Sequence, residues 1–271
     1  MIPPIFIITL ARQTDRQHII AARLSALGLK FEFFPASSTS TLTPENRRFY
    51  NSGLRRLQLG KDLRDTELAC LHSHKRLLEK IVAENIPHAI IMEDDCVVCE
   101  DFPHIIGKLS AHADIWHLVR FFGDNKHLAR RHRRLGPLVG EYSLARIATS
   151  PGGAHCYLLD TEAARRLCAA LSSVTVPVDI LMGRPWKTGL GVFTVYPRVA
   201  WQDEGFPSTI GHERFSRQLQ VRGLEKLAFR LWAPLTRLGI NIAKRWCYYS
   251  ALLPDWRRAR RWRALLAKGR P

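Results

Sequence analysis

Three adjacent carboxylates, Glu93-Asp94-Asp95, close the apolar run His88-Ala89-Ile90-Ile91-Met92. A short, uninterrupted apolar run of this kind reads as a strand buried on both faces. Such a strand delivers its terminal acids to the edge of the sheet where open α/β folds bind ligands. Carboxylates this close repel one another unless a cation sits among them. Mg²⁺ and Mn²⁺ prefer oxygen ligands and bridge carboxylates to phosphates. An acidic, solvated turn after a strand fits the same three residues, so the triplet alone leaves both readings open.

The rest of the chain narrows the choice. Its 271 residues can bury one large core, or one core plus an extension. No apolar run approaches the roughly 18–20 residues that span a bilayer. Met1-Ile2-Pro3-Pro4 lacks a basic leader and a small-residue cleavage site, so a cytoplasmic location is expected. Cys70, Cys156 and Cys168 fall in apolar patterns and read as small buried hydrophobes. Cys96-Val97-Val98-Cys99 has metal or redox spacing, but no second Cys or His pair accompanies it, and it follows an acidic turn instead of opening a helix.

Strand and helix patterns alternate. Pro4–Leu10 reads as a first strand, and Asp15 is placed to cap a helix with Ile19, Ile20, Leu24 and Leu27 on its apolar stripe. Phe31–Phe34 reads as a second strand, and Ser37–Lys61 as an irregular excursion with a helical turn near Pro44. Helical spacing returns at Leu68, Leu71, Leu78 and Ile81, and Pro87 leads into the acidic strand. Asp114–Arg120, Tyr142–Thr149, Ala154–Leu159 and Val192–Tyr196 are further strands, with a mobile basic loop at 124–134 and a helix capped by Thr161. The alternation predicts an α/β domain with a largely parallel sheet.

Several stretches, in order, resemble the family 25 glycosyltransferases, which include bacterial lipopolysaccharide and lipooligosaccharide galactosyltransferases. The resemblance runs from about Ile5 to Gly211. It rests on Ile8-Thr9-Leu10-Ala11-Arg12 with Arg16, on Glu67 through Cys70 to Ser73-His74, and on Glu93-Asp94-Asp95. Gly153-Ala154-His155-Cys156-Tyr157, Ala163-Ala164, Pro177-Val178-Asp179 and Pro207-Ser208-Thr209-Ile210 continue the family order. The chain departs from the family's pattern at Thr66 and Ala69, where glycines are usual, at Thr9 and Ala11, which replace Asn and Asp, and at Thr209, often acidic.

The resemblance implies a GT-A type fold, a nucleotide-sugar donor and a divalent metal. Asp94 and Asp95, with Glu93 assisting, are then the metal candidates, and His212 a late ligand. Thr9, Leu10, Arg12, Arg16, His74, Glu93, Asp94 and Gly153 are candidate donor contacts; guanidinium forks suit phosphate oxygens. Arg12 and Arg16 also fit as solvated residues at a helix start, and His74 as an internal hydrogen-bonding group; His72 reads as surface. An inverting transfer needs a base for the acceptor hydroxyl. Asp179 is the first candidate, with helix capping as its other reading, and Asp203 and Glu204 are in reserve. On family grounds the donor is UDP-galactose, used with Mn²⁺ or Mg²⁺, and the acceptor a lipid-linked glycan of lipopolysaccharide type.

Charge divides the chain. Of a net +17, residues 214–271 supply +13, from fifteen Lys or Arg against Glu225 and Asp255, and they hold Trp232, Trp246, Trp256 and Trp262. This sets a catalytic portion, 1–213, apart from a basic helical extension, 214–271. Leu224, Leu227, Leu231, Leu235 and Leu238 at helical spacing, interleaved with cations, fit a helix at the anionic inner face of the cytoplasmic membrane. Packing on the catalytic domain and binding to nucleic acid are the other readings of the extension. A basic nucleic-acid-binding protein, or a catalytically degenerate relative serving as a scaffold, are the rivals to the enzyme.

Overall fold

A computed structural model describes residues 2–122, 132–148, 152–203, 205 and 219–268. Ile5–Thr9 forms β1, Glu32–Pro35 β2 and His88–Glu93 β3, and β1 pairs in parallel with both others. Side chains alternate across a strand. Phe6, Ile8 and Ile91 therefore enter one core, while Ile5, Ile7, Ile90 and Met92 enter a second on the opposite face. Both faces are dry, which is why these runs carry no polar alternation. The first helices are α1 (Thr14–Ala26), α2 (Ser52–Leu59), α3 (Asp65–Ala83) and α4 (Phe102–Ala111). Leu71, Leu77 and Leu78 of α3 fill the first core; Ile20 and Leu24 of α1, with Ile105 and Leu109 of α4, fill the second. Each such side chain contributes about 1.5–3 kcal/mol by leaving water.

The remaining strands are β4 (Cys96–Val98), β5 (Leu118–Arg120), β6 (His132–Pro137), β7 (Ser143–Ile147), β8 (Cys156–Asp160), β9 (Phe193–Tyr196) and β10 (Ala200–Gln202). Eight strands make one sheet in the order β2-β1-β3-β8-β5-β9-β7-β6, and β4 pairs with β10 in a small antiparallel ribbon. β8 lies antiparallel between β3 and β5, and β7 antiparallel between β9 and β6. With β5 and β9 parallel, six of the eight strands point one way and only β7 and β8 are reversed. The largely parallel α/β sheet expected from the sequence is present in that sense.

Local differences have local causes. α1 begins at Thr14 after Gln13, so Asp15 is inside its first turn, where a negative charge suits the helix N-terminus without capping it. Asp160, not Thr161, caps the Thr161–Ala170 helix, accepting from the Ala163 amide at 2.7 Å; the Thr161 hydroxyl donates to the Ile86 carbonyl instead. The irregular excursion contains a full helix, α2. Its signals were Asn51, whose side chain accepts from the Leu54 amide at 2.9 Å, and the C-terminal Gly60. Residues 132–134, expected in a loop, begin β6; residues 123–131 lie outside the described residues. The Cys96–Cys99 motif begins on β4 and ends one residue past it, and Cys96 is buried beside Cys156.

Two further helices, Gly223–Ser250 and Leu252–Lys268, follow. Trp262 is fully buried in the second core. Its indole lies flat enough on β6 that a Cβ at Gly136 would come within 2.2 Å of it, and Nε1 donates to the Pro137 carbonyl at 2.9 Å. Asp255 is equally enclosed and accepts from Arg146 Nε at 2.7 Å, from Arg133 Nη1 and from Arg258 Nη1. A buried carboxylate persists only when paired in this way. By contrast Trp232, Trp246 and Trp256 are exposed.

Candidate active site

β1 and β3 run side by side, so their C-terminal ends open on one cavity of about 160 Å³. Thr9, Leu10, Arg12 and Arg16 line it from the first strand and helix, and Glu93, Asp94 and Asp95 from the third strand. The loop after β2 contributes Ser37, and α3 contributes Thr66, Ala69, Cys70 and His74. Ser73 fixes that wall: its hydroxyl donates to the Ala69 carbonyl at 2.7 Å and accepts from the Ser37 amide at 2.8 Å. Glu67 is not part of it; its carboxylate accepts from the Arg64 amide and caps α3. An open groove of about 680 Å³ lies beside β6, lined by Arg134, Tyr196 and Arg263. Among its lining residues Glu141 is the one carboxylate, whereas the smaller cavity gathers three.

The three acids are treated differently by their surroundings. Asp94 is paired: Oδ1 accepts from Arg16 Nη1 at 3.1 Å and Oδ2 from the Thr9 hydroxyl at 2.7 Å. Arg16 is thereby buried at the base of the cluster, whereas Arg12 is exposed at its rim. Glu93 meets the fully buried His74, Nε2 to Oε1 at 3.3 Å. With Glu93 ionised, Nε2 donates, and Nδ1 accepts from the Tyr157 hydroxyl at 2.8 Å. Asp95 is the exception. Among the described residues its buried Oδ1 accepts no hydrogen bond, and Oδ2 meets Gln202 Nε2 at 3.4 Å. Burial, then the charges of Glu93 and Asp94, push its carboxyl up to about 7.

That environment suits a hard cation. A divalent ion against Oδ1 would satisfy the orphaned oxygen and cancel the repulsion that raises the pKa. Cys70, His74 and Glu93 each place a ligand-capable atom within 4.8 Å of the others, the one such group among the described residues. Cys70 is thus a wall of the cavity, not merely a small hydrophobe, and its thiol is pushed well up by burial and by Glu93, Asp179 and Asp95.

Asp179 lies in the first turn of the Val178–Met182 helix, which Pro177 caps. Its Oδ2 accepts from the Gly153 amide at 2.8 Å and its Oδ1 from the Ile180 amide at 2.7 Å. Gly153 has φ +104°, a conformation open to glycine, and its carbonyl accepts from buried Arg120 at 2.8 Å. Asp179 therefore holds the Gly152-Gly153 turn and does not itself line the cavity. Asp203 donates its amide to the Asp95 carbonyl at 2.8 Å, but its carboxylate turns to Arg23 at 2.5 Å, which depresses its pKa. Glu204 and His212, with Pro207-Ser208-Thr209-Ile210, lie outside the described residues. His72 is half-buried, bonded to the Ser37 hydroxyl at 2.9 Å and stacked on Phe49, where a surface position was expected. The residues that sequence reasoning passed over are Tyr157, Gln202 and Arg120. Each is a polar side chain on a strand, and pairing alone brings Tyr157 to His74, Gln202 to Asp95 and Arg120 to the glycine turn.

The sheet is largely parallel, and an acidic cluster, a buried arginine and a cavity lie together at its strand tips. Residues 2–182 match the sequence model of glycosyltransferase family 25 (LPS biosynthesis protein), and the chain belongs to that family of glycosyltransferases. It is similar to the lipooligosaccharide biosynthesis protein lic2B of Haemophilus influenzae, 26% identical over 254 residues that cover 88% of this chain and 90% of that one. It is similar also to the lacto-N-neotetraose biosynthesis glycosyltransferase LgtB of Neisseria gonorrhoeae, 26% identical over 278 residues covering 88% and 93%. With LgtE of Neisseria meningitidis serogroup B it shares 23% over 214 residues, 73% of each chain.

Proposed function

We propose that this glycosyltransferase has a GT-A type fold and moves a hexose, galactose in the first instance, from a UDP-sugar to a lipopolysaccharide- or lipooligosaccharide-type acceptor. The proposal takes the transfer to be inverting and metal-dependent. The observation that carries it is Asp95: a buried carboxylate oxygen that meets no donor among the described residues, at the tip of a central strand, inside a cavity that also presents Arg12. The acceptor class follows the relatives' names. Asp95, with Glu93 beside it, would hold Mn²⁺ or Mg²⁺, whose contribution when bound is Lewis-acid stabilisation of charge on the departing diphosphate.

The chain's own residues do the rest. Arg16 and Thr9 keep Asp94 in place, so that the acids converge instead of splaying under mutual repulsion. His74, fixed by Tyr157, orients Glu93 in the same way. Arg12 at the rim is free in geometry to pair with a phosphate oxygen. Asp179 stands behind the cavity lining, where its charge reaches Cys70 in the wall, and in this reading takes the proton of an acceptor hydroxyl that approaches beside the Gly152-Gly153 turn. Thr66 and Ala69 replace glycine in the cavity wall and narrow it, which bears on donor choice.

Thermal melts with a panel of nucleotide sugars, each with and without Mn²⁺, test the donor and the ion together. UDP-galactose with Mn²⁺ is expected to raise the midpoint more than the two do singly. Full transfer under strong chelation, or in both Asp94→Ala and Asp95→Ala, would remove the metal assignment.

A further inference from the structure

We propose that the outward face of the Gly223–Ser250 helix is a docking surface for an anionic phospholipid bilayer, on which the helix lies in the plane of the interface. The inner side of this helix is committed to the protein: Phe229 and Ala233 are buried with Val221, Phe229 closes on Gly60 at the end of α2, and Glu225 pairs with Arg56 at 2.5 Å. The outer side is apolar as well. Leu227, Leu231, Leu235, Leu238, Ile242 and Trp246 recur every three or four residues and are each 55–72% exposed. At about 3.6 residues per turn they form one stripe. A contiguous apolar stripe of this length on a water-facing helix marks an interaction surface.

Charge identifies the occupant. Lys226, Arg230, Arg237 and Arg245 are exposed on the same helix, and its only acid, Glu225, is already paired. A second copy of this chain would bring cation against cation. A nucleic acid would satisfy the cations and leave the leucines in water. An anionic bilayer takes both, with apolar side chains among the acyl chains, cations at the headgroups and Trp246 at the boundary. The helix does not cross: no described helix is long and apolar enough to span a membrane. The inference complements the proposed lipid-linked acceptor but requires no turnover to be tested.

The full chain is floated with vesicles of phosphatidylcholine, alone or with phosphatidylglycerol. Two triple variants accompany it, Leu231→Glu/Leu235→Glu/Ile242→Glu and Lys226→Glu/Arg230→Glu/Arg237→Glu. All six positions are exposed, so unchanged melting midpoints are expected and certify the fold. The wild type should float with the anionic vesicles only, and each variant should lose more than about tenfold in partitioning. Equal binding to neutral vesicles, or anionic binding unchanged in either variant, overturns the proposal. So does a solution dimer that the leucine variant dissociates, or retention on DNA matching that on vesicles and insensitive to the leucine variant. Flotation by a protein inactive with every nucleotide sugar would leave this inference standing and remove the donor assignment instead.

Discussion

Asp95 is held in a state that costs the folded protein stability. Its carboxyl, ordinarily at 3.8, is pushed up to about 7 by burial and two neighbouring acids. The folded form therefore holds its proton where the unfolded chain has lost it. The associated stabilisation is complete below the ordinary carboxylate value and is lost as pH rises through about 7. Metal-free protein should accordingly melt lower at about pH 8 than at about pH 5, and Asp95→Asn should flatten much of that slope. At about pH 8 the variant should gain roughly 1–3 kcal/mol while losing transfer, as read by calorimetry beside an activity assay. Asp179 gives a second residue-level test. Asn keeps an oxygen for the Gly153 amide, gives up the one that Ile180 donates to and cannot take a proton, so Asp179→Asn should lower kcat/KM by about 10²–10⁴ while losing less in melting than Asp179→Ala. Loss of stability of the same order as in Asp179→Ala would assign the residue to the turn alone. The acids themselves were singled out by their place at the end of an apolar run together with their order among the family motifs, since the run alone also fits a solvated turn. Their surroundings were not: Thr9 reaches Asp94, Gln202 reaches Asp95 and Tyr157 reaches His74 only through strand pairing, which local sequence does not encode.

Among elements, those with a strong period read correctly and those with mixed roles did not. β1 and β3 are apolar on both faces, and α3 repeats its leucines at helical spacing; each shows its state in isolation. α2 does not, because buried Arg55 bonds the carbonyls of Thr175 and Lys61 and so spends a charged residue inside the fold. The order of the sheet was equally hidden, since the reversed β8 enters between β3 and β5 from far along the chain. The Leu252–Lys268 helix illustrates the same limit. Its Arg-rich pattern suggests solvent, yet Trp262 is fully buried on Gly136. Trp262→Ala should cost about 3–5 kcal/mol in chemical denaturation. An effect within about 0.5 kcal/mol, normal for surface positions, would mean the indole is not part of the core.

At the scale of the whole molecule, cationic surface and packed core are interleaved. The segment after residue 213 supplies most of the net charge, and it also supplies Trp262 to the second core and Asp255 to three arginines. A chain ending at residue 213 should therefore lose cooperative unfolding by circular dichroism and strand Arg133 and Arg146 without their carboxylate, a loss of about 3–5 kcal/mol for a broken buried pair. A truncated chain that melts like the intact one would show that the extension is dispensable for folding.

The seat of Trp262 against β6 also has a bearing on synthesis. Translation delivers that side chain after the ten described strands, so the hydrophobic interior must wait for it, partly open, until residue 262 has been made. The long amphipathic helix immediately upstream is made in the same interval. Closure of the interior and presentation of the leucine stripe thus become a single late event, and unfinished polypeptide would expose both greasy surfaces to chaperones at once.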